Sequence, residues 1–206
     1  MLIPVERLLL RVRQVPVRAE ELLVLRQRLR REQAAGVGDE ERATAIAIRA
    51  LKVRISAALR EVSACTSCAA GRRRPRGTFP GGDCCSGVTA DLFSDDEVAA
   101  LARAGTRPRH LRAPRTEHAG CAFRGATGCT LTAAHRPQRC VHYTCNLLRR
   151  ELRARGELAA IDVLLAELAH LMRRFVTLRG ARLDDELLAP LEEALALACR
   201  ATEPRP

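Results

Sequence analysis

Apolar residues recur at helical spacing in the first and last thirds of the chain, and the middle third lacks that rhythm. In residues 18–34, Leu22, Leu25 and Leu29 fall at i, i+3 and i+7 opposite a face of Arg and Gln, which predicts an amphipathic helix ended by Gly36 and Gly38. Asp39 reads as the N-cap of a second helix running to about Val62, with Glu40 and Glu41 in its first turn and Ile46, Leu51, Ile55 and Leu59 among its apolar positions. Together these predict a helical hairpin. After Asn146 the pattern returns. Leu147, Leu148 and Leu152 lead to a break at Gly156, and a helix over about 157–178 carries Ile161, Leu164, Leu165, Leu168, Leu171, Met172 and Phe175 on one broad face. Gly180 is expected to close it, and Pro190 to open a last helix with Glu192 and Glu193 in its first turn.

Between these arms, residues 65–90 are rich in Gly, Arg, Pro and Cys. Ser94-Asp95-Asp96-Glu97 then has the form of a capping box, Ser at the N-cap and Glu at N3, starting a short helix that reaches Ala104 and stops at Gly105. Residues 106–120, with Pro108 and Pro114, read as loop, and 121–145 as irregular. The expected fold class is therefore mainly α: a cysteine-rich irregular metal-binding core with a short helix, flanked by an N-terminal helical hairpin and C-terminal helices. The corresponding units are 1–64, 65–145 and 146–206.

Composition agrees with an all-α frame. The chain has four Phe, one Tyr and no Trp, so its core must come from Leu, Val, Ile and Ala. The net charge of +11 is uneven: 13 basic and 8 acidic residues in 1–64, 12 and 6 in 65–145, and 10 and 10 in 146–206. Nearly all the basic residues are Arg, with Lys52 the only lysine, which reads as coding bias more readily than as nucleic-acid binding, because aromatics that could stack on bases are almost absent. The first residues do not form a secretory signal, since Glu6 and Arg7 interrupt the apolar run. No stretch approaches the ~20 apolar residues of a membrane span, so the expected setting is the cytoplasm, without membrane contact.

In that reducing setting clustered cysteines are metal ligands before they are disulfides. Eight of the nine cysteines lie between positions 65 and 145: Cys65 and Cys68 two residues apart, the adjacent Cys84 and Cys85, Cys121 and Cys129, and Cys140 and Cys145. A Cys-x2-Cys turn lets two thiolates face one ion, in tetrahedral zinc sites and in iron–sulfur sites alike. Arg residues nearby favour the thiolate form. Cys199, in the last helix, reads as a buried small hydrophobe. Among other polar residues, His142 and His118 are candidate ligands or outer partners against a solvent-facing alternative, His135 reads as exposed, and His170 as a helix-surface residue. Tyr143 is expected to pack over the cysteine site, with anchoring of the turn as the alternative.

The segments Cys65-Thr-Ser-Cys68, Cys84-Cys85, Gly120-Cys121-Ala-Phe123, Gly128-Cys129 and Arg136-Pro137-Gln-Arg-Cys140-Val-His-Tyr143-Thr-Cys145 resemble the CxxCxxCC family of zinc- or iron-chelating domains, also called YkgJ-type cysteine-cluster proteins. The resemblance spans about 61–150. It departs from the family where fifteen residues, including Arg72-Arg73-Arg74-Pro75-Arg76, separate Cys68 from Cys84 in place of the usual two. It implies metal chelation, by zinc or an iron–sulfur cluster, with possible redox activity. The alternative is a structural-zinc module whose basic loop (Arg72, Arg73, Arg74 and Arg76) meets an acidic protein or nucleic acid. No paired carboxylates, Ser-His-Asp set or glycine-rich phosphate loop specifies a reaction, so the sequence names no catalytic residue.

Overall fold

The computed structural model describes residues 18–59, 89–114, 121–125 and 128–201, the last six of these by backbone alone. The elements are α1 (Arg18–Ala34), α2 (Asp39–Ala58), α3 (Thr89–Leu92), α4 (Asp95–Arg103), a 3-10 turn at Pro108–His110, strands β1 (Arg124–Gly125) and β2 (Gly128–Cys129), a 3-10 turn at Ala133–His135, α5 (Gln138–His142), α6 (Asn146–Ala154) and α7 (Leu158–Ala201). The protein is mainly helical, as its pattern predicts. The short β1–β2 antiparallel ladder, the two 3-10 turns and α5 fill the stretches expected to be loop or irregular.

The organising element is the nine-residue α4, every residue of which from Glu97 to Arg103 is buried. Ala99 and Ala100 face a cluster with Ala45, Ile48, Leu51 and Ile55 of α2, Leu148 and Leu152 of α6, and Ile161, Leu165, Leu168 and Phe175 of α7. Val98, Leu101 and Ala102 face a second cluster with Leu22, Leu25 and Leu29 of α1, Phe93, Leu111, Phe123 and Leu131. The expected hairpin is modified accordingly. α1 packs chiefly on α4, while α2 packs on α7 and α4, so the short helix stands between the two arms.

Helix ends follow local chemistry in most places. Ser94 caps α4 by accepting from Glu97 N. Gly105 (φ +85°) and Gly156 (φ +72°) take the left-handed conformation that ends α4 and α6, with the 6→1 bonds Thr106 N to Leu101 O and Glu157 N to Leu152 O, both 2.9 Å. Asp39 differs from expectation: Gly38 holds the N-cap position without a side-chain bond, and Asp39 is the first helical residue, where its charge favours the helix N-terminus. Ile46 and Leu147 are exposed, each one residue off its helix's buried stripe.

The largest difference lies at the C-terminal end. α7 is one helix of 44 residues, about 66 Å long, that runs through both Gly180 and Pro190. Beyond Arg182 its side chains are exposed as far as they are described, Leu187, Leu191 and Leu195 among them. The helix continues through Pro190 although its ring removes one backbone hydrogen bond, which costs about 3 kcal/mol in a helix interior.

At the turn between α1 and α2 the arms meet through buried charge. Arg103 donates from Nε to Glu41 Oε1 (3.2 Å), and its other nitrogens reach the carbonyls of Glu32, Ala35 (3.3 Å) and Gly36 (3.1 Å) at the end of α1. Arg182 of α7 takes the other oxygen of Glu41 at 2.8 Å, and Arg179 joins Glu32 (2.8 Å) to Asp96 (2.9 Å). Arg103 and Glu41 are almost completely buried, so deleting the Glu41 carboxylate takes a buried counter-charge from Arg103 and from Arg182 at once. Glu41→Ala is expected to cost about 3–5 kcal/mol, against ~1 kcal/mol or less for Asp162→Ala, which breaks the half-exposed pair with Arg149. Urea unfolding of both variants checks this; equal costs would show that the buried network does not tie the arms.

Candidate metal centre

Four of the eight predicted ligands, Cys65, Cys68, Cys84 and Cys85, and the Arg72–Arg76 run and His118, lie outside the described residues. Of the other four, Cys121 is buried within the α1–α4 cluster, and Cys129 and Cys140 are partly buried against that same cluster. Cys145 belongs to the other side. It packs on the α2–α6–α7 cluster, where its Sγ accepts from Leu148 N (3.5 Å) as the N-cap of α6.

The β1–β2 ladder brings Cys129 near Cys121. Arg124 pairs directly across from Cys129, Arg124 N donates to Cys121 O (3.0 Å), and Thr130 N donates to Phe123 O (3.0 Å). The loop is anchored from beneath by buried Thr89, whose hydroxyl accepts from Ala122 N and donates to Glu21 Oε2, each at 2.9 Å. Arg124 is itself 2% exposed, so a buried cation occupies the ladder position opposite Cys129.

Cys140 is positioned by two buried charges that sequence reading passed over. Lys52 Nζ donates to Arg136 O at 2.6 Å, and Glu97 accepts from Gln138 N (2.8 Å) and Arg139 N (3.2 Å). Glu97 thus fulfils only half of the capping box: its amide bonds Ser94, while its carboxylate turns away to hold the start of α5. Burial pushes the Glu97 carboxyl above its usual range, opposed by the Gln138 amide and the Lys52 ammonium. Burial lowers Lys52 from 10.5 to about 8, opposed by the negative charges of Glu97 and Cys140. The converse holds for Cys140: a neighbouring ammonium favours the thiolate, the form that binds metal. The signal for Lys52 lay in the spacing of α2, where positions 41, 45, 48, 52 and 55 form one buried stripe into which the only lysine falls.

The histidines and Tyr143 sort differently. His142 is exposed, and so is His170, as expected of a helix surface. Tyr143 is 50% exposed and stands at the C-cap of α5. His135, expected to be exposed, is half-buried and stacked on His110 with ring centroids 4.2 Å apart. The side chain of Cys199 is outside the described set.

Among the described residues no three His, Cys, Asp or Glu side chains stand close enough together to hold a metal ion. Cys121, Cys129 and Cys140 border one apolar cluster, and thiolates in general are soft donors of the kind that zinc and iron take. Compared with known protein families, curated proteins and solved structures, the chain matches none. No helix among the described residues is long and apolar enough to cross a membrane.

Because the folded protein binds the Lys52 proton less tightly than the unfolded chain, stability rises as pH climbs from about 8 to 10.5. Lys52→Met is expected to lose that rise, about 3 kcal/mol in all. Urea midpoints for both proteins across this range check it; parallel profiles would remove Lys52 from the account.

Proposed function

We propose that the chain is a metal-chelating cysteine-cluster protein of the kind its motifs resemble, holding zinc or an iron–sulfur cluster. The observation that carries this reading is that Cys121, Cys129 and Cys140 all border one apolar cluster, with buried Lys52 acting on Cys140 and buried Arg124 across the ladder from Cys129. Thiols serving only as packing gain nothing from buried cations, whereas thiolates are stabilised by them. Cys65, Cys68, Cys84 and Cys85 supply the remaining ligands, and Cys145, at the end of the Cys140-x4-Cys145 step, stands at the edge of the site.

A closed four-thiolate zinc site would be structural, fixing the loops between the helical arms. An iron–sulfur cluster would add the capacity to accept and release an electron. The chain's own part is the same in either case: present the sulfurs, hold them ionised beside Lys52 and Arg124, and shield them behind the apolar faces of α1 and α4.

Full-length protein purified without air is expected to carry stoichiometric zinc or iron, with visible absorbance if iron–sulfur. Cys121→Ser, Cys129→Ser and Cys140→Ser should each lower the bound metal, and Cys199→Ser should leave it unchanged. Elemental analysis read beside the visible spectrum decides. Metal-free protein with an unaltered melting temperature would end the proposal.

A further inference from the structure

The segment that leaves α4 carries Arg107, Arg109, His110 and Arg112, and its conformation is fixed. His110 N donates to Arg107 O (2.8 Å), Leu111 N donates to Pro108 O (3.1 Å), and Leu111 is buried. His110 Nδ1 accepts from Arg107 N at 3.0 Å, its ring stacks on His135, and His135 Nδ1 shares a 3.0 Å hydrogen bond with the buried Thr106 hydroxyl. Arg49 reaches in from α2 to donate to Ala104 O (2.8 Å), Arg26 from α1 donates to Leu111 O (2.7 Å), and Arg112 Nε donates to Arg109 O (3.1 Å).

These guanidinium groups are oriented by neutral carbonyl oxygens. Elsewhere Arg residues meet carboxylates: Arg103, Arg149, Arg174, Arg179 and Arg182 all do. Among the described residues no carboxylate forms an ion pair with Arg26, Arg49, Arg107, Arg109 or Arg112. The charged groups acting on His110 are Arg109, Arg49, Arg107 and Arg112, and those acting on His135 are His110, Arg49 and Lys52. Each is a base. Burial first, and then these cations, hold both imidazoles below their usual value, His135 at about 4, so both rings are neutral at pH 7. Arg49 and Arg112 are thus preset donors on a face where, among the described residues, no carboxylate pairs with a guanidinium.

We propose that this face, formed by Arg49, Arg107, Arg109, Arg112 and the His110–His135 stack, binds a phosphate group, free or within a nucleic-acid backbone. Guanidinium forks match phosphate oxygens in pairs, and orientation by carbonyls removes much of the ordering cost of binding.

The test follows the ring resonances of His110 and His135 by NMR in the full-length protein, with His170 on exposed α7 as the internal control. Inorganic phosphate is titrated first, then a short thymidylate oligonucleotide. Selective shifts of the two stacked rings with phosphate assign a single-phosphate site, and shifts with the oligonucleotide alone assign a backbone site. Arg49→Gln should weaken binding about tenfold or more, and Arg109→Gln, at a fully exposed position, serves if the first variant fails to fold. Arg153→Gln, an exposed residue on α6, should change nothing, and metal content should be unchanged in all three. The proposal is overturned if neither probe moves the stacked rings, if His170 moves equally, or if Arg153→Gln loses as much affinity as Arg49→Gln.

Discussion

The segment Arg136–Cys140 is gripped from both sides by buried charges of opposite sign, and the placement of the cysteine region depends on that grip. Lys52 from α2 holds the Arg136 carbonyl, and Glu97 from α4 holds the amides of Gln138 and Arg139. An isolated ammonium or carboxylate loses several kcal/mol on leaving water. Neither is isolated here, because each finds a backbone dipole of the right sign and the two attract one another across the segment. The pair is therefore costly to break and gives little stability beyond what an apolar pair of the same volume would give. What it does fix is position: the segment can neither slide along α2 nor rotate on α4 without leaving a charge unsatisfied.

The same economy of contacts appears at the other end of α2. Its buried stripe begins at Glu41 and ends near Lys52, with Ala45, Ile48 and Leu51 between. Glu41 is locked to Arg103 at the C-terminal end of α4, and Glu97 sits at the N-terminal end of that same helix. Two helices are thus registered against each other by charge at both ends and by aliphatic packing in the middle. Hydrophobic contact alone is non-directional and permits slippage by a turn; the terminal charges do not. This explains how a nine-residue helix, too short to be stable by itself, can serve as the wall between two apolar clusters.

What the sequence made legible was what local chemistry decides. Leu22, Leu25 and Leu29 marked the inner face of α1, Ser94 the start of α4, and Gly105 and Gly156 the ends of α4 and α6. The residues misread were those whose fate is set by distant partners. Glu97 fits a capping box by spacing, yet its carboxylate serves α5, forty residues away in sequence. Lys52 reads as a stray product of composition until the stripe it occupies is followed. Gly180 and Pro190 are punctuation by propensity, but punctuation acts through competition, and the exposed half of α7 has nothing competing with the helix. The cysteine spacing carried no information on placement: only the fold sets Cys145 against the α2–α6–α7 cluster and Cys121, Cys129 and Cys140 against the other.

That separation bears on how a thiolate site would work here. Cys145 Sγ accepts a hydrogen bond from the first turn of α6, and its other neighbours are aliphatic. Cys145 thus takes the N-cap position of α6, with its sulfur in the place of the Ser, Thr or Asp oxygen usual there. Amide-to-sulfur bonds of this type also spread the charge of a metal–thiolate unit and tune its potential. Under the metal-chelating reading, the charge on sulfur is therefore balanced by different means at different points: by side-chain cations at Cys129 and Cys140, and by backbone dipoles at Cys145. A site built this way would carry its compensation within the protein, at a sulfur that is buried at Cys121 and at sulfurs that are partly exposed at Cys129, Cys140 and Cys145.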